Sequence, residues 1–446
     1  MRIIDGGEFD AFWKSRVGQG DDESVESAVR EIIAAVRAGG DTAVRQLASR
    51  FDRSSPDRLE VPMAVAEQAL ADLRSCDPEL VSALELAADH LVRFSARQRS
   101  QFSDFEHEME PGLFTGQRII PVDRAAVYVP AGRFPLFSSV LMGLIPAFCA
   151  GVEGIVLASP PLEDGLPDRK VLAAACIAAA AGKGTECWAG NGLRIFAMGG
   201  AQSIAALALG TESVPRVDLI VGPGNKYVAA AKRMLFGEVG IDFIAGPSDV
   251  LVVAAGAGSR DAADLVAADM IAQAEHDPDA KAGALVPNAE FAGLVVAALE
   301  QRLACLPAAR ASLDSGGFIA VYRDMEDAVR MANIIAPEHL ELHAANAERW
   351  VPGLRNYGSL FVGSLSAEVL GDYSAGINHT LPTSGSARFT GGLSVGNFLK
   401  TVTTLRCAPG AGFEKARNAA EILARAEGLE GHALSAGARK NFGKGR

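Results

Sequence analysis

Cysteine is scarce in this chain. Six residues, Cys76, Cys149, Cys176, Cys187, Cys305 and Cys407, are spread over 446 positions with no Cys-x-x-Cys pair. That spacing indicates neither a disulfide framework nor a thiolate zinc site, and reduced thiols in a cytoplasmic protein are the simpler reading. Positive charge is also short. With 54 acidic against 42 basic residues, a formal net charge of −12 and a pI near 5.2, the chain is poorly suited to a phosphate backbone, and no nucleic-acid partner is expected. Its one basic cluster, Arg439, Lys440, Lys444 and Arg446, reads as a solvated tail. The apolar runs near 140–152 and 171–182 are too short to cross a bilayer, and the opening residues lack a charged segment followed by an apolar one. Neither membrane insertion nor secretion is expected. A dinucleotide fingerprint is missing too: residues 222–227, Gly-Pro-Gly-Asn-Lys-Tyr, begin like G-x-G-x-x-G but end in tyrosine, and Gly199-Gly200 lacks the spacing.

What is present is core-forming material. Hydrophobic residues make up 49% of the chain, enough for a large core and two or three domains. Over residues 22–100, Val25, Val29, Ile32, Ile33 and Val36 recur at helical spacing, Asp41 stands where it would cap a helix from Ala43 to Phe51, and Asp77-Pro78 opens another. From Ala125 the texture changes. Short apolar runs at 125–129 and 154–158 end in Pro, and a helical stretch, 138–150, lies between them. The pattern continues through 171–181, 195–198, 202–209 and 219–221, predicting an α/β fold with a parallel sheet. Residues 217–224 also resemble residues 241–248, each an apolar run entering Gly-Pro. They suggest two related sheets with ligand-facing edges, although a plain strand terminator would read the same.

The chemistry-bearing residues lie further on. A helix from about Arg260 to Glu275 would place Gln273 and His276 on one face, so that an amide oxygen and an imidazole nitrogen could hold one ion. Asp372, in a Gly-flanked segment, and His432, near the end, would complete a four-donor N/O set that suits zinc better than magnesium. Glu338-His339 follows Pro337; an imidazole there can accept a hydroxyl proton, and the neighbouring carboxylate can activate water. His90 and His107 read as surface residues, and His343, in the alternating 340–343 segment, as structural.

Eight motifs, Tyr128-Val-Pro-Ala-Gly132, Gly199-Gly-Ala-Gln202, Gly222-Pro-Gly-Asn225, Ala245-Gly-Pro-Ser248, Gln273-Ala-Glu-His276, Pro337-Glu-His339, Gly371-Asp-Tyr373 and Asn378-His-Thr-Leu-Pro-Thr383, stand in an order that resembles the histidinol dehydrogenase family over nearly the whole chain. The resemblance implies oxidation of L-histidinol through the aldehyde to L-histidine with two NAD. It implies zinc on Gln273, His276, Asp372 and His432, His339 as base and Glu338 as activator of water. It further implies substrate contacts from Ser248, His379 and Glu427 beside the zinc ligands and His339, and NAD contacts from Tyr128, Gln202 and Asn225. Glu427 and His432 would reach into the partner subunit's site, making a homodimer with shared active sites. The implied architecture is two Rossmann-like parallel-sheet domains, one inserted in the other: 24–127 with 248–392 carrying metal and catalytic residues, 128–247 binding NAD, and small helical extensions at 1–23 and 393–446.

Two departures bear on the NAD pocket. Ala131 stands where the family has glycine, and the stretch 178–191 is longer than usual. Two other readings compete. One is a related dehydrogenase of another small alcohol, such as sulfopropanediol, with Arg133 and Arg388 as cations for the sulfonate. The other is a two-lobed binding protein without catalysis, which would have no use for Glu338-His339.

Overall fold

Two six-stranded sheets, each with five strands wound in the same order, organise the larger part of the computed structural model, which describes residues 1–16, 23–131, 135–183, 192–244, 246–255, 258–304 and 306–440. In the first sheet the strands Leu193–Ala197, Gly154–Ser159, Arg124–Tyr128, Leu219–Val221 and Gly240–Ile241 lie side by side and parallel, and Glu60–Val61 adds an antiparallel edge. In the second, Phe318–Val321, Lys281–Val286, Asp249–Ala255, His339–Ala344 and Ser359–Val362 repeat that winding, and Arg2–Asp5 joins in parallel at the edge. Counted along the chain, both quintets run 3-2-1-4-5, the doubly wound order that leaves a crevice where the winding reverses. The α/β class with two Rossmann-like sheets is therefore as expected.

The expected kinship of sheets holds for whole sheets but not for the two Gly-Pro segments. Leu219–Val221 and Gly240–Ile241 are neighbours in one sheet. The second segment leaves the sheet after Ile241 because the Asp242 carboxylate turns inward, accepting from Gly222 N at 2.8 Å and Phe243 N at 2.7 Å and pairing with the buried Lys232 ammonium.

Local chemistry explains the elements. The helix Ser138–Ala150 is buried on every side from Ser139 onward, so it carries no polar stripe, and its Gly143 lets the helix press onto Val127 where any Cβ would collide. Gly222, at φ +112°, turns the chain so tightly under Tyr128 that a Cβ would meet the Tyr128 carbonyl. The helical segment Glu23–Phe51 bends at Gly40. There the expected cap fails: Asp41 accepts instead from the Thr211 hydroxyl and, at 3.3 Å, from Ser213 N. Pro78–Arg99 starts as expected, with Asp77 accepting from Leu80 N at 3.0 Å.

The chain divides into two compact units, Met1–Arg97 with Asp123–Phe398, which holds both parallel sheets, and Gln98–Val122 with Leu399–Arg446. The second unit contains a three-stranded antiparallel sheet, Leu399–Cys407, Leu113–Pro121 and Phe105–Glu110, and the helices Ala411–Ala426 and Glu430–Gly437. The segment after 393 is thus part strand. Among the described residues no helix is long and apolar enough to cross a membrane. Gly132, Arg133, most of 178–191, Ala245, Cys187, Cys305, Lys444 and Arg446 lie outside the described residues.

Candidate active site

The strand His339–Ala344 carries the centre of the site at its first residue. Side chains alternate along it: Leu340 and Leu342 enter one apolar core, leaving His339, Glu341 and His343 on the opposite face. The Asp249–Ala255 strand beside it pairs Val250 with His339, and Val250 and Val252 pack into a second core with the helix Arg260–Ala274. That helix therefore lies over the histidine-bearing face and delivers Gln273 from its last turn.

Glu338 and Asp249 lock the two strand starts together. Glu338 N donates to Asp249 Oδ1 at 2.8 Å, and Asp249 N donates to Glu338 Oε2 at 3.0 Å. Around His339 stand Glu338 at 4.0 Å and Glu368 at 3.8 Å from Nδ1, and Asp372 at 3.5 Å from Nε2. Glu368 and Asp372 share one face of the short helix Glu368–Tyr373. With its amide oriented to satisfy both ends, Gln273 donates to Glu368 Oε1 and accepts from Asp249 N at 3.2 Å.

Charge crowds this buried space. Burial opposes the protonated form of His339, but Glu368, Glu338 and Asp372 outweigh it and raise the imidazole well above its ordinary range. Burial pushes Glu338 up to about 8, with Asp249 and Asp372 adding and His339 opposing. Glu368 is likewise raised well above the carboxylate range by burial, with Asp372, Glu341 and Glu338 adding. Burial also lifts Asp372, yet its attraction to the His339 ring, whose Nε2 lies 3.5 Å away, with the fields of His379 and His276, brings it below the usual value. His379 is depressed by burial despite Asp372.

These residues fit a divalent cation. His339, Glu368 and Asp372 offer ligand atoms within 4.8 Å of one another. Both ring nitrogens of His339, His379 Nε2 and Glu368 Oε2 are buried without a hydrogen-bond partner. Buried carboxylates in excess over cations, beside unpartnered imidazoles, are what a metal pocket looks like from its side chains alone. Of the expected donors, Gln273 and Asp372 are buried here, and His276 is close enough for its charge to act on Asp372. His276 does not share a helix face with Gln273: the helix ends at Ala274, and His276 is exposed in the following turn, its N–H donating to Gln273 O at 3.3 Å. Ser248, half-buried, precedes the Asp249 strand start. Glu427 caps the helix Ala411–Ala426, and His432 is an exposed residue of the helix Glu430–Gly437, not of a turn, both in the second unit.

The three expected NAD contacts gather at the carboxyl edge of the first sheet, on either side of its switch point. Tyr128 ends the Arg124–Tyr128 strand and its hydroxyl accepts from Gly200 N at 3.1 Å. Gln202 Nε2 donates to Asp52 Oδ2 at 3.2 Å, and Asn225 caps Lys226–Leu235, accepting from Tyr227 N and Val228 N. Asp52, pushed up to about 6 by burial, also accepts from Gly199 N. In the second sheet the cluster lies at the amino ends of the two switch-point strands, opposite the edge where ligands of such sheets ordinarily sit.

Sequence reading missed Glu368, Asp249, Glu341 and Asp269. A spacing signal existed for Glu368, one helical turn before Asp372. His90, read as a surface residue, is half-buried and ties its helix to the Ser374 carbonyl at 2.7 Å. Arg388, read as a sulfonate cation, donates instead to the carbonyls of Asn333 and Ile334.

Comparison with known proteins gives the family and agrees with the fold. The profile of the family described as Histidinol dehydrogenase matches residues 15–440. The chain is similar to the histidinol dehydrogenase of Pseudomonas syringae pv. tomato, 44% identical over 93% of this chain and 89% of that one. It is similar to the histidinol dehydrogenase of Thermus thermophilus, 43% identical over 96% of this chain and 97% of that one. The crystal structure of histidinol dehydrogenase from Elizabethkingia anophelis superposes with a TM-score of 0.87 at 30% identity, covering 98% of each chain.

Proposed function

This chain belongs to the histidinol dehydrogenase family, and from that premise we propose that it oxidises L-histidinol through L-histidinal to L-histidine, using zinc and two NAD+. The observation that carries the reading is the convergence of Glu338, His339, Glu368, Asp372 and Gln273 on one buried space.

His339 takes the carbinol proton in the first oxidation and the proton of the hydrated aldehyde in the second. Glu338, fixed by its exchange with Asp249, draws a proton from the water that adds to the aldehyde. Retaining the aldehyde on the protein prevents escape of a reactive intermediate. Zinc, held by Gln273, His276, Asp372 and the partner's His432, would anchor the imidazole and amine of the substrate and offset the carboxylate charge that keeps His339 protonated. NAD, at Tyr128, Gln202 and Asn225, supplies the hydride acceptor. Ser248, His379 and Glu427 complete the substrate contacts.

A homodimer with shared sites is part of the reading. Leu405, Ile422, Leu423 and Leu434 of the second unit are all more than 60% exposed, and such apolar surface favours a partner. The sulfopropanediol alternative is weakened by Arg388, whose guanidinium is tied to backbone carbonyls. NAD reduction with L-histidinol against sulfopropanediol, before and after chelation, tests the choice. Turnover of histidinol alone, abolished by chelation and restored by zinc, is the expected result; turnover of the sulfonate alone overturns it.

A further inference from the structure

A second set of metal-type donors lies one helical turn and one strand repeat from the first. Asp269 precedes Gln273 by four residues on the helix Arg260–Ala274, so both point from the same side. Glu341 and His343 follow His339 at intervals of two on its strand, and so share its face. His343 Nε2 lies 3.0 Å from Glu341 Oε2 and 3.6 Å from Asp269 Oδ2, and the three residues offer ligand atoms within 4.8 Å of one another. Around a tetrahedral ion with bonds of about 2.0–2.1 Å, ligand atoms stand roughly 3.3 Å apart. The two measured edges straddle that value.

Two observations separate this trio from an ordinary ion pair. Glu341 is fully buried and His343 is 8% exposed, yet Glu341 Oε2 and His343 Nε2 have no hydrogen-bond partner, so their 3.0 Å approach is not a hydrogen bond. Unpartnered polar atoms this deep are costly unless something unseen joins them. In addition, two carboxylates stand together and, among the described residues, no Lys or Arg lies within ion-pair distance of Glu341; Asp269 is pushed up to about 8, first by burial and then by Glu341. A dication would neutralise two carboxylates and satisfy the imidazole at once. The Asp269 side chain keeps 12% exposure, which leaves an entrance.

We propose that Asp269, Glu341 and His343 bind a second divalent transition-metal ion, of the zinc class, distinct from the ion expected at Gln273, His276 and Asp372. One imidazole with two carboxylates is a borderline donor set of the kind zinc accepts, with water in the fourth position. The site also touches the active site structurally, because the other oxygen of Glu341 accepts from Glu368 N at 2.7 Å. The inference does not depend on which alcohol is oxidised.

The test is a zinc count per chain, by elemental analysis of the full-length protein stripped with chelator, reloaded with Zn2+ and dialysed. Two equivalents are expected for the wild type, one for His343→Gln and one for His276→Ala, with zinc-induced thermal stabilisation reduced in each. Asp269→Asn repeats the His343 test at a more exposed position, should His343→Gln fold poorly. If the metal reading of the first site were wrong, the wild type would hold one equivalent, lost in His343→Gln and kept in His276→Ala. A single equivalent that survives both His343→Gln and Asp269→Asn overturns the second site, and the trio is then a carboxyl pair sharing one proton.

Discussion

Replacing Lys232 by Met tests how the carboxyl edge of the first sheet, where NAD is proposed to bind, is held. The ammonium is buried; it donates to Gly222 O at 3.0 Å and pairs with Asp242, whose side chain is fully buried and also accepts from Gly222 N and Phe243 N. Methionine keeps an unbranched side chain of similar volume, one heavy atom shorter and uncharged, so the main loss is electrostatic, leaving a buried carboxylate that still accepts from two backbone N–H groups. Removing one partner of a buried pair costs about 3–5 kcal/mol, a large share of the roughly 5–15 kcal/mol by which domains are stable. Urea denaturation should show that loss. The double variant Lys232→Met with Asp242→Asn should recover part of it, since the orphaned charge is gone. Because Gly222 belongs to the loop that presents Asn225, the KM for NAD should rise in the single variant more than kcat falls. A loss below about 1 kcal/mol, or a double variant no better than the single, would refute the reasoning.

His339→Asn removes the proposed base, and kcat should fall about 10²–10⁴-fold with the Kd for histidinol little changed by calorimetry. Glu338→Gln should slow oxidation of histidinal by a similar factor, about 10²–10⁴-fold, while the first oxidation of histidinol persists in single-turnover measurements; equal slowing of both steps would count against its role with water. Asp327, bonded to Arg323 and Arg330, is held down to about 2 against an ordinary 3.8. A folded value below the unfolded one contributes stability that is complete above pH 3.8 and lost as pH falls toward 2. The contribution is about 2 kcal/mol, so Asp327→Asn should destabilise at neutral pH and hardly at all near the acid end of that window.

Sequence reading singled out several of the clustered residues because they come in short runs: Pro337-Glu338-His339 suggests proton transfer, and Gln273 with His276 suggests metal donors, from residue type alone. The helix face assigned to Gln273 and His276 was not legible, because the helix ends at Ala274. Sequence reading did not reach Asp249 and Glu368, which act through partners distant in the chain and stand among residues with no distinctive spacing. His343 looked structural because alternation shows which face a side chain takes, not what lies over that face; Asp269 supplies that from 74 positions away. The strand-helix alternation of the first parallel sheet was legible from apolar runs bounded by Gly and Pro, but the order of its strands was not. The antiparallel sheet was not, since Phe105–Glu110 reads FEHEME and is exposed almost throughout, leaving no buried face to imprint a period. Arg2–Asp5, likewise, has only Ile4 buried.

The most direct test is the stoichiometry of NADH formed per L-histidinol consumed by the zinc-loaded protein. The account predicts two NADH with L-histidine as the sole accumulated product. One NADH with free histidinal, or none, would contradict it.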